Sequence, residues 1–321
     1  MVLDNQSLIE LYTTMLTIRR FEERVVNEFY AGNIVGFIHS YIGQEAIATG
    51  VCRHLGITDR IVSHHRGHGH CIAKGADMKR MMAEVLGKKT GYCKGKGGSM
   101  HIADFSIGML GADGIVGAGL PIATGAAMAA QLEGKGNIAA VFFGDGACQE
   151  GELHEALNAA AIWKLPLLFV CENNHYAVNA PATYSLAAAD IVRMPDAYHI
   201  PTKQVHGNDV LAVWEAAREA VEQMRQGAGP FFLECDTYRL HKHYLSHDLE
   251  DRRPLDERES WSKRCPVASY RADLLAQEVL TEAEAERIDE AVCAEVDEAW
   301  QFGVDSPFPD PEDALEDVYS R

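Results

Sequence analysis

The chain has 321 residues, of which 47% are hydrophobic, and its formal net charge is −18. A chain of this length buries a large core, and so negative a charge excludes the basic surface with which proteins bind nucleic acid. We also expect no membrane partner, because no stretch of about 18 uncharged apolar residues occurs.

The cysteines and the N-terminus predict a cytoplasmic protein. The eight cysteines are dispersed and form no C-x-x-C pair. A chain this rich in apolar residues does not depend on disulfides, so we interpret the cysteines as reduced thiols. The N-terminal segment carries early acidic residues and no apolar block, which is not the pattern of a signal peptide.

The first third of the chain predicts a long helix and then an irregular region. Apolar residues recur at helical spacing from Asn5 to Tyr30, with charged residues between them. A glycine turn at Gly36 precedes a segment that becomes helical near Gln44. The segment 87–119 is too rich in glycine for a long regular helix, and so long an irregular segment indicates a functional region.

The middle of the chain alternates apolar runs with helical patterns. A helix of small residues is predicted at 120–132. Predicted strands and helices then alternate at 137–143, 151–164, 165–172, 209–225 and 229–239. Strands that alternate with helices predict an α/β fold, with a parallel sheet and helices on both faces.

The C-terminal part is more charged. We interpret 240–261 as a surface loop, and 267–302 as helical and acidic. No repeat or linker divides the chain. The simplest organisation is one domain over 1–321 with helical extensions at both ends, the C-terminal helical tail running from about 255 to 321.

Polar side chains follow two of the predicted strands. Asp145 lies between two glycines at the end of the first, and the pair Asn173–Asn174 follows the second. Ligands of parallel sheets bind outside the carboxyl ends of the strands, so neighbouring strands would bring Asp145 and Asn174 together. Carboxylate and amide oxygens suit Mg²⁺ or Ca²⁺ and do not suit Zn²⁺. An isolated G-D-G is usually a tight turn, but the second motif at the next strand end favours a metal site.

Three other kinds of site are poorly supported. The segment "GYCKGKGGS" does not fit the P-loop pattern, and Ile122 stands where a dinucleotide-binding fingerprint requires its third glycine. Four histidines at 64, 65, 68 and 70 lack the ligand spacing of common zinc sites. The simpler interpretation of His68 and His70 is that they are packing residues of the protein interior.

The spacing from G-D-G to N-N resembles the thiamine diphosphate fingerprint. Further blocks resemble the α subunit of the E1 component of 2-oxo acid dehydrogenase complexes over nearly the whole chain. These blocks are "GFIHSYIGQEA", "HRGHGHCIAKG", "GKGGSMHIAD", "GIVGAGLPIATG" and "WKLPLLFVCENN". Within that family the chain is most similar to acetoin dehydrogenase α subunits, followed by pyruvate dehydrogenase E1 α. The resemblance implies a parallel-sheet thiamine-diphosphate-binding fold.

The resemblance also implies the cofactor site, with thiamine diphosphate and Mg²⁺ as cofactors. The implied metal ligands are the side chains of Asp145 and Asn174 and the carbonyl oxygen of Tyr176. The implied cofactor contacts are the N–H groups of Gly146 and Ala147, the side chains of Arg66 and His65, and the backbone of Gly114 and Val116.

Two histidines match catalytic positions of the family. His39 corresponds to a histidine of the active-site channel, and His243 to one in the loop that covers it. This loop departs from the family pattern, since Lys242 replaces a glycine. Tyr244 replaces a serine that some pyruvate enzymes phosphorylate, so control by a kinase at this position is not supported.

The resemblance implies partners as well. The glutamate that activates the cofactor comes from a β subunit in this family, so an α₂β₂ enzyme with a lipoyl-bearing E2 partner is implied. The expected reaction is cleavage of acetoin with transfer of the two-carbon unit to a lipoyl carrier. The alternatives are oxidative decarboxylation of pyruvate and a non-catalytic regulatory paralogue. The chain is too short for a stand-alone transketolase-like enzyme.

Overall fold

The structure is a computed structural model that describes residues 3–187 and 190–317. The strands are β1 Arg60–His64, β2 Met109–Asp113, β3 Ala139–Gly144, β4 Leu167–Asn173, β5 Tyr176–Ala177, β6 Ala180–Pro181, β7 Thr202–His206 and β8 Phe231–Asp236. The helices are α1 Asn5–Tyr30, α2 Glu45–Cys52, α3 His68–Ala73, α4 Met78–Val85, α5 Gly119–Glu133, α6 Gly151–Trp163, α7 Ala182–Ser185, α8 Val210–Arg225, α9 Leu255–Ser262, α10 Pro266–Ala276 and α11 Glu282–Asp305.

Six of the strands form one parallel sheet in the order β2-β1-β3-β4-β8-β7. Alternate residues of each strand point to opposite faces, and both faces are apolar. Val141 packs on one face in a cluster with residues of α5 and α6, whereas Phe142 packs on the other face with residues of α1, α2 and α8. The predicted α/β fold with helices on both faces is confirmed.

The C-terminal helices pack against the N-terminal helix. A third apolar cluster joins residues of α1 with residues of α10 and α11, and α11 also lies along α4. The break between α10 and α11 falls where Glu278 has a positive φ of 56° and Thr281 caps α11. None of the helices within the described residues is long and apolar enough to cross a membrane. All eight cysteines are free.

The interpretation of 240–261 as a surface loop is wrong in part. Its second half contains α9, and Leu245 and Trp261 are buried. Arg253 is also buried, because it pairs with Asp251 at 2.8 Å and donates to the carbonyl oxygens of Arg239 and His241. Two of the charges that suggested a surface segment, Asp251 and Arg253, are therefore paired within the protein.

Three strands of the six-stranded sheet, β1, β2 and β7, were not predicted from the sequence. β1 and β7 carry polar residues, and β2 contains Gly111, so none has the continuous apolar run of a buried strand. β2 lies within the predicted irregular region 87–119, which is otherwise built of turns and two short 3₁₀ helices.

One buried glutamate organises the glycine-rich part of that region. Glu84 is fully buried at the end of α4 and accepts hydrogen bonds from four backbone N–H groups. The donors are Cys93 and Gly95 on Oε2, and Gly97 and Gly98 on Oε1, at 2.8–3.0 Å. The carboxylate thereby satisfies backbone donors that no regular element pairs.

Candidate cofactor site

The predicted site residues follow the carboxyl ends of neighbouring strands. Five adjacent strands, β2, β1, β3, β4 and β8, end at one edge of the sheet. The residues that follow them are Gly114 and Val116 after β2, His65 and Arg66 after β1, Asp145, Gly146 and Ala147 at the end of β3 and beyond it, Asn174 and Tyr176 after β4, and Arg239 and His243 after β8. The sheet order thus gathers residues that are distant in sequence.

Asp145 is a buried carboxylate with an unused oxygen. Its strand β3 pairs with β4 through Gly144 and Glu172, which sets Asp145 beside the start of the Asn173–Asn174 turn. Its Oδ2 is buried and has no hydrogen-bond partner among the described residues. Burial raises the pKa of the Asp145 carboxyl, against the opposing effect of the nearby Arg239 charge. Such a buried oxygen suits a ligand that carries positive charge.

Arg239 contacts the other two predicted metal-ligand oxygens, and the sequence analysis missed it. Its Nε donates to Oδ1 of Asn174 and its Nη2 to the carbonyl oxygen of Tyr176, both at 3.3 Å. Nη2 also donates to the carbonyl oxygen of Val178 at 2.8 Å. The available signal was its position just beyond a buried strand that is adjacent to β4.

Arg66 is a buried cation on the same edge. Its Nη1 donates to the carbonyl oxygen of Ser40 at 2.9 Å, and its Nη2 donates to Nδ1 and the carbonyl oxygen of His243. Burial and the charge of Arg239 lower the pKa of Arg66 below its ordinary value. Within the described residues, no carboxylate oxygen lies within 4.0 Å of the nitrogens of Arg66 or Arg239. Both guanidinium groups are therefore available to neutralise an anion.

Three of the predicted histidines meet in one cluster. The ring centroid of His39 lies 4.6 Å from that of His65 and 5.0 Å from that of His243. Burial and the charge of Arg66 lower the pKa of His39 to about 3 and that of His243 to about 2, and hold the pKa of His65 well below its ordinary value. All three imidazoles are neutral at pH 7. Nδ1 of His39 is buried without a partner among the described residues.

Aromatic rings border this histidine cluster. The ring of Tyr244 lies 5.9 Å from that of His39 and 5.5 Å from that of Phe37, which is exposed. The replacement of serine by Tyr244 therefore sets an aromatic ring beside the predicted catalytic histidines.

The remaining predicted residues lie on the walls of the site. Gly146 leaves little room for a side chain, because a Cβ built on it would lie 3.1 Å from Cβ of Ala177. Ala147 is buried within the turn that follows β3. Gly114 and Val116 lie after β2, two strands away from Asp145, and Val116 is 48% exposed. The structure therefore does not bring these two residues into contact with the metal-ligand oxygens.

His68 and His70 pack in the protein interior, in agreement with the simpler interpretation of the sequence. His68 is hydrogen-bonded to Glu22 and Ser99, and His70 to Glu172 and Ser63. Both imidazoles are buried.

Comparisons with known proteins agree with this architecture. A family model described as "Dehydrogenase E1 component" matches residues 13–312. The α subunits of acetoin:2,6-dichlorophenolindophenol oxidoreductase from Bacillus subtilis and Cupriavidus necator are each 46% identical over 319 residues, which cover 99% of this chain and 95% of each relative. The pyruvate dehydrogenase E1 component subunit alpha of Rhizobium meliloti is 38% identical over 310 residues, which cover 97% of this chain and 89% of the relative.

Proposed function

The chain belongs to the dehydrogenase E1 component family, and we propose that it is the α subunit of an oxidoreductase that uses thiamine diphosphate and Mg²⁺ to cleave acetoin. The two-carbon unit passes to a lipoyl carrier. We propose further that 1–321 acts as one cofactor-binding domain.

One observation carries this proposal: the carboxyl edge of the sheet buries charges of both signs that have no oppositely charged partner within 4.0 Å among the described residues. Asp145 has an unpartnered carboxylate oxygen, while Arg66 and Arg239 are buried guanidinium groups without carboxylate partners among the described residues. A divalent cation bound to a diphosphate supplies a positive charge to the first and negative charges to the others. Neither a metal ion alone nor an anion alone satisfies both.

The residues present fit such a group. We assign Asp145, Asn174 and the carbonyl oxygen of Tyr176 to the metal ion, whose preference is for oxygen ligands. The diphosphate is assigned to the N–H groups of Gly146 and Ala147. A side chain at position 146 would press against Ala177, in keeping with a close approach of the backbone at this turn.

Further residues are assigned to the rest of the cofactor and to the substrate. Arg66 neutralises the diphosphate, His65 lies beside it, and the backbone of Gly114 and Val116 binds the aminopyrimidine ring. When bound, thiamine diphosphate supplies a carbon nucleophile that holds electrons after C–C cleavage. His39 and His243 are the proposed catalytic residues, because their rings lie together beside Arg66 and the buried Nδ1 of His39 has no hydrogen-bond partner among the described residues.

The histidine cluster favours acetoin over pyruvate. His39, His65 and His243 are neutral at pH 7, and the positive charge of the neighbouring Arg66 is assigned to the diphosphate. A substrate carboxylate beside them would be desolvated without a charged partner, which costs several kcal/mol. Acetoin is neutral and carries no such cost.

We propose a β subunit as the partner, in an α₂β₂ enzyme that works with a lipoyl-bearing E2. The outer faces of α5 and α6 support this, since they expose large apolar side chains. These are Ile122, Leu132, Ile162 and Trp163, which are 48–82% exposed. Large apolar side chains exposed on two helices that pack together favour a protein contact there.

The test is reconstitution with a β subunit and a substrate panel with a dye as electron acceptor. We expect no measurable turnover from the α chain alone and a higher kcat/KM for acetoin than for pyruvate from the reconstituted enzyme. A kcat/KM ratio that favours pyruvate by tenfold or more, which is about 1.4 kcal/mol, overturns the assignment of acetoin as the substrate. The assignment to the E1 family is unaffected by that result. Turnover by an α chain shown by mass spectrometry to be free of β overturns the subunit assignment.

A further inference from the structure

A single buried carboxylate connects the two sides of the candidate site. Glu172, the residue before the Asn173–Asn174 turn, is fully buried at the end of β4. Its Oε1 accepts hydrogen bonds from the hydroxyl of Tyr41 and from Nε2 of His70, the latter at 3.1 Å. Its Oε2 accepts from Nε2 of Gln44 at 3.2 Å and from Nε2 of His64 at 2.6 Å.

These donors keep Glu172 ionised. Burial alone would raise the pKa of its carboxyl, but the His70 and His64 imidazoles outweigh burial and hold that pKa below its ordinary range. Four donors on one carboxylate satisfy a charge that would otherwise be costly to bury. Nothing in the proposed catalytic steps uses this carboxylate.

The first branch from Glu172 leads to the metal ligand Asn174. Because Nε2 of Gln44 donates to Glu172, the amide oxygen of Gln44 points the other way. That oxygen accepts a hydrogen bond from Nδ2 of Asn174 at 3.2 Å. The Asn174 amide is thereby oriented with its nitrogen toward Gln44 and its Oδ1 toward Nε of Arg239. Without Gln44 the amide nitrogen loses its acceptor, and the orientation of the amide depends only on the two long hydrogen bonds that Oδ1 accepts from Nε of Arg239 and the N–H of Tyr176.

The second branch leads to the diphosphate-binding residue Arg66. Nδ1 of His64 accepts the backbone N–H of Arg66 at 3.0 Å, so the imidazole proton lies on Nε2 and is donated to Glu172. The imidazole thus ties the backbone of Arg66 to the end of β4. Its tautomer is fixed, because a backbone N–H can only donate.

The same tautomer argues against a metal ion at this cluster. His64, His70 and Glu172 have possible ligand atoms within 4.8 Å of one another. Nε2 of His64 carries a proton and has no free lone pair for a metal, because Nδ1 is already the acceptor for Arg66. The cluster is therefore a hydrogen-bond network.

We propose that Glu172 is a positioning residue that sets the orientation of Asn174 through Gln44 and the position of Arg66 through His64. The proposal rests on the proposed function, since it concerns the residues assigned to Mg²⁺ and diphosphate. Both branches end on the same oxygen, Oε2, so one carboxylate couples the metal side of the site to the diphosphate side.

The experiment uses the reconstituted αβ enzyme and calorimetric titrations of Mg²⁺ at saturating thiamine diphosphate and of thiamine diphosphate at saturating Mg²⁺. Gln44→Met removes the first branch at nearly constant volume, and we expect the Mg²⁺ Kd to rise at least tenfold, by more than that of thiamine diphosphate. His64→Leu removes the second branch, and the larger rise is expected for thiamine diphosphate. His64→Gln, which keeps a donor and an acceptor, restores most of that affinity.

Glu172→Met tests the shared carboxylate. Methionine removes both acceptor oxygens at nearly constant volume, so we expect both Kd values to rise at least tenfold. Adding His64→Leu to Glu172→Met then costs less than a further twofold, because that branch is already broken. The matched control is Tyr41→Phe, which removes a donor to Oε1 but belongs to neither branch and leaves both Kd values within twofold.

The outcomes separate the two proposals. If the parent enzyme binds neither Mg²⁺ nor thiamine diphosphate, the proposed function is overturned and this inference with it. If the parent binds both and Gln44→Met and His64→Leu bind as the parent does, only the positioning role is overturned. If each branch variant loses as much affinity for Mg²⁺ as for thiamine diphosphate, the positioning role is also overturned. A purely structural role predicts such equal losses, whereas the positioning role predicts a different larger loss in each variant. The branch variants decide the matter if Glu172→Met does not fold.

Discussion

Arg239 donates a hydrogen bond from Nε to Oδ1 of Asn174 at 3.3 Å, and its Nη2 reaches the carbonyl oxygen of Tyr176 at the same distance. Two of the three oxygens assigned to the metal therefore share one guanidinium, while Oδ2 of Asp145 has no partner in the described part of the chain. Burial lowers the pKa of Arg239 to about 10, so it remains a cation at pH 7. Metal binding must compete with this charge for the amide and carbonyl oxygens.

The first prediction concerns Asp145→Asn. Burial raises the folded-state pKa of this carboxyl, so the ionised carboxylate lowers the free energy of unfolding at pH 7. This loss of stability disappears only when the pH falls below the ordinary pKa of the carboxyl. Asparagine removes the charge, and we expect the melting temperature of the protein without ligand to stay the same or rise. The parent should gain about 2.7 kcal/mol, or about 5 °C, from ligand at 100 times its Kd, and the variant should gain almost nothing.

The measurement is thermal unfolding of the reconstituted enzyme with and without Mg²⁺ and thiamine diphosphate. Asp305→Asn, on an exposed residue at the end of α11, is the control and should keep the ligand-induced rise. A variant at Asp145 that retains the full rise contradicts the metal assignment.

The second prediction concerns Arg66→Lys. Lysine keeps a positive charge but is a compact donor that cannot span the carbonyl oxygens of Ser40 and His243. We expect the Kd of thiamine diphosphate to rise at least tenfold in calorimetry at saturating Mg²⁺. Arg193→Lys, on an exposed side chain, should bind as the parent does. An unchanged Kd for Arg66→Lys would remove Arg66 from the diphosphate site.

The third prediction concerns Glu84→Gln. The carboxylate accepts four backbone N–H groups, and a glutamine would turn its NH₂ group toward two of them. Buried hydrogen bonds to a charged group contribute about 1.5–3 kcal/mol each, so we expect the free energy of unfolding to fall by about 3 kcal/mol or more. Limited proteolysis should also cut within 91–98 faster. Glu290→Gln, on an exposed residue of α11, should change neither; equal stability for both variants would refute the role of Glu84.

The fourth prediction is a loss of stability in mild acid that depends on His39. Burial lowers its folded-state pKa to about 3, whereas the unfolded value is 6.5. The unfolded state therefore takes up a proton that the folded state does not, and stability present above pH 6.5 is lost as the pH falls toward 3. From pH 6.5 to 5 the loss from one such histidine is about 2 kcal/mol.

Denaturant unfolding at pH 7 and pH 5 measures this loss. His39→Gln cannot be protonated, so the stability difference between the two pH values should shrink by about 2 kcal/mol in the variant. His101→Gln, at an exposed histidine, should leave the difference as it is in the parent. If His39→Gln and the parent lose the same stability, His39 is not held neutral in the fold.

The sequence by itself determined the local elements and the chemistry of the strand ends. The helix Asn5–Tyr30 and the alternation from 137 to 239 follow from apolar periodicity, which burial on one face of a helix or both faces of a strand imposes. The glycines that flank Asp145 and the amide side chain of Asn174 can be recognised in the sequence by residue type and spacing. These features depend only on neighbours in the chain.

Tertiary structure alone decided which residues meet. Arg239 follows an ordinary buried strand, and its role appears only because β8 lies beside β4 in the sheet. β1, β2 and β7 were missed because pairing, and not apolar pattern, makes them strands. Glu172 looked like the last residue of an apolar run, yet donors 102 to 131 positions away in the chain converge on it. Strand order and the hydrogen bonds of buried charges are set by contacts across the sheet, and no local pattern in the sequence records them.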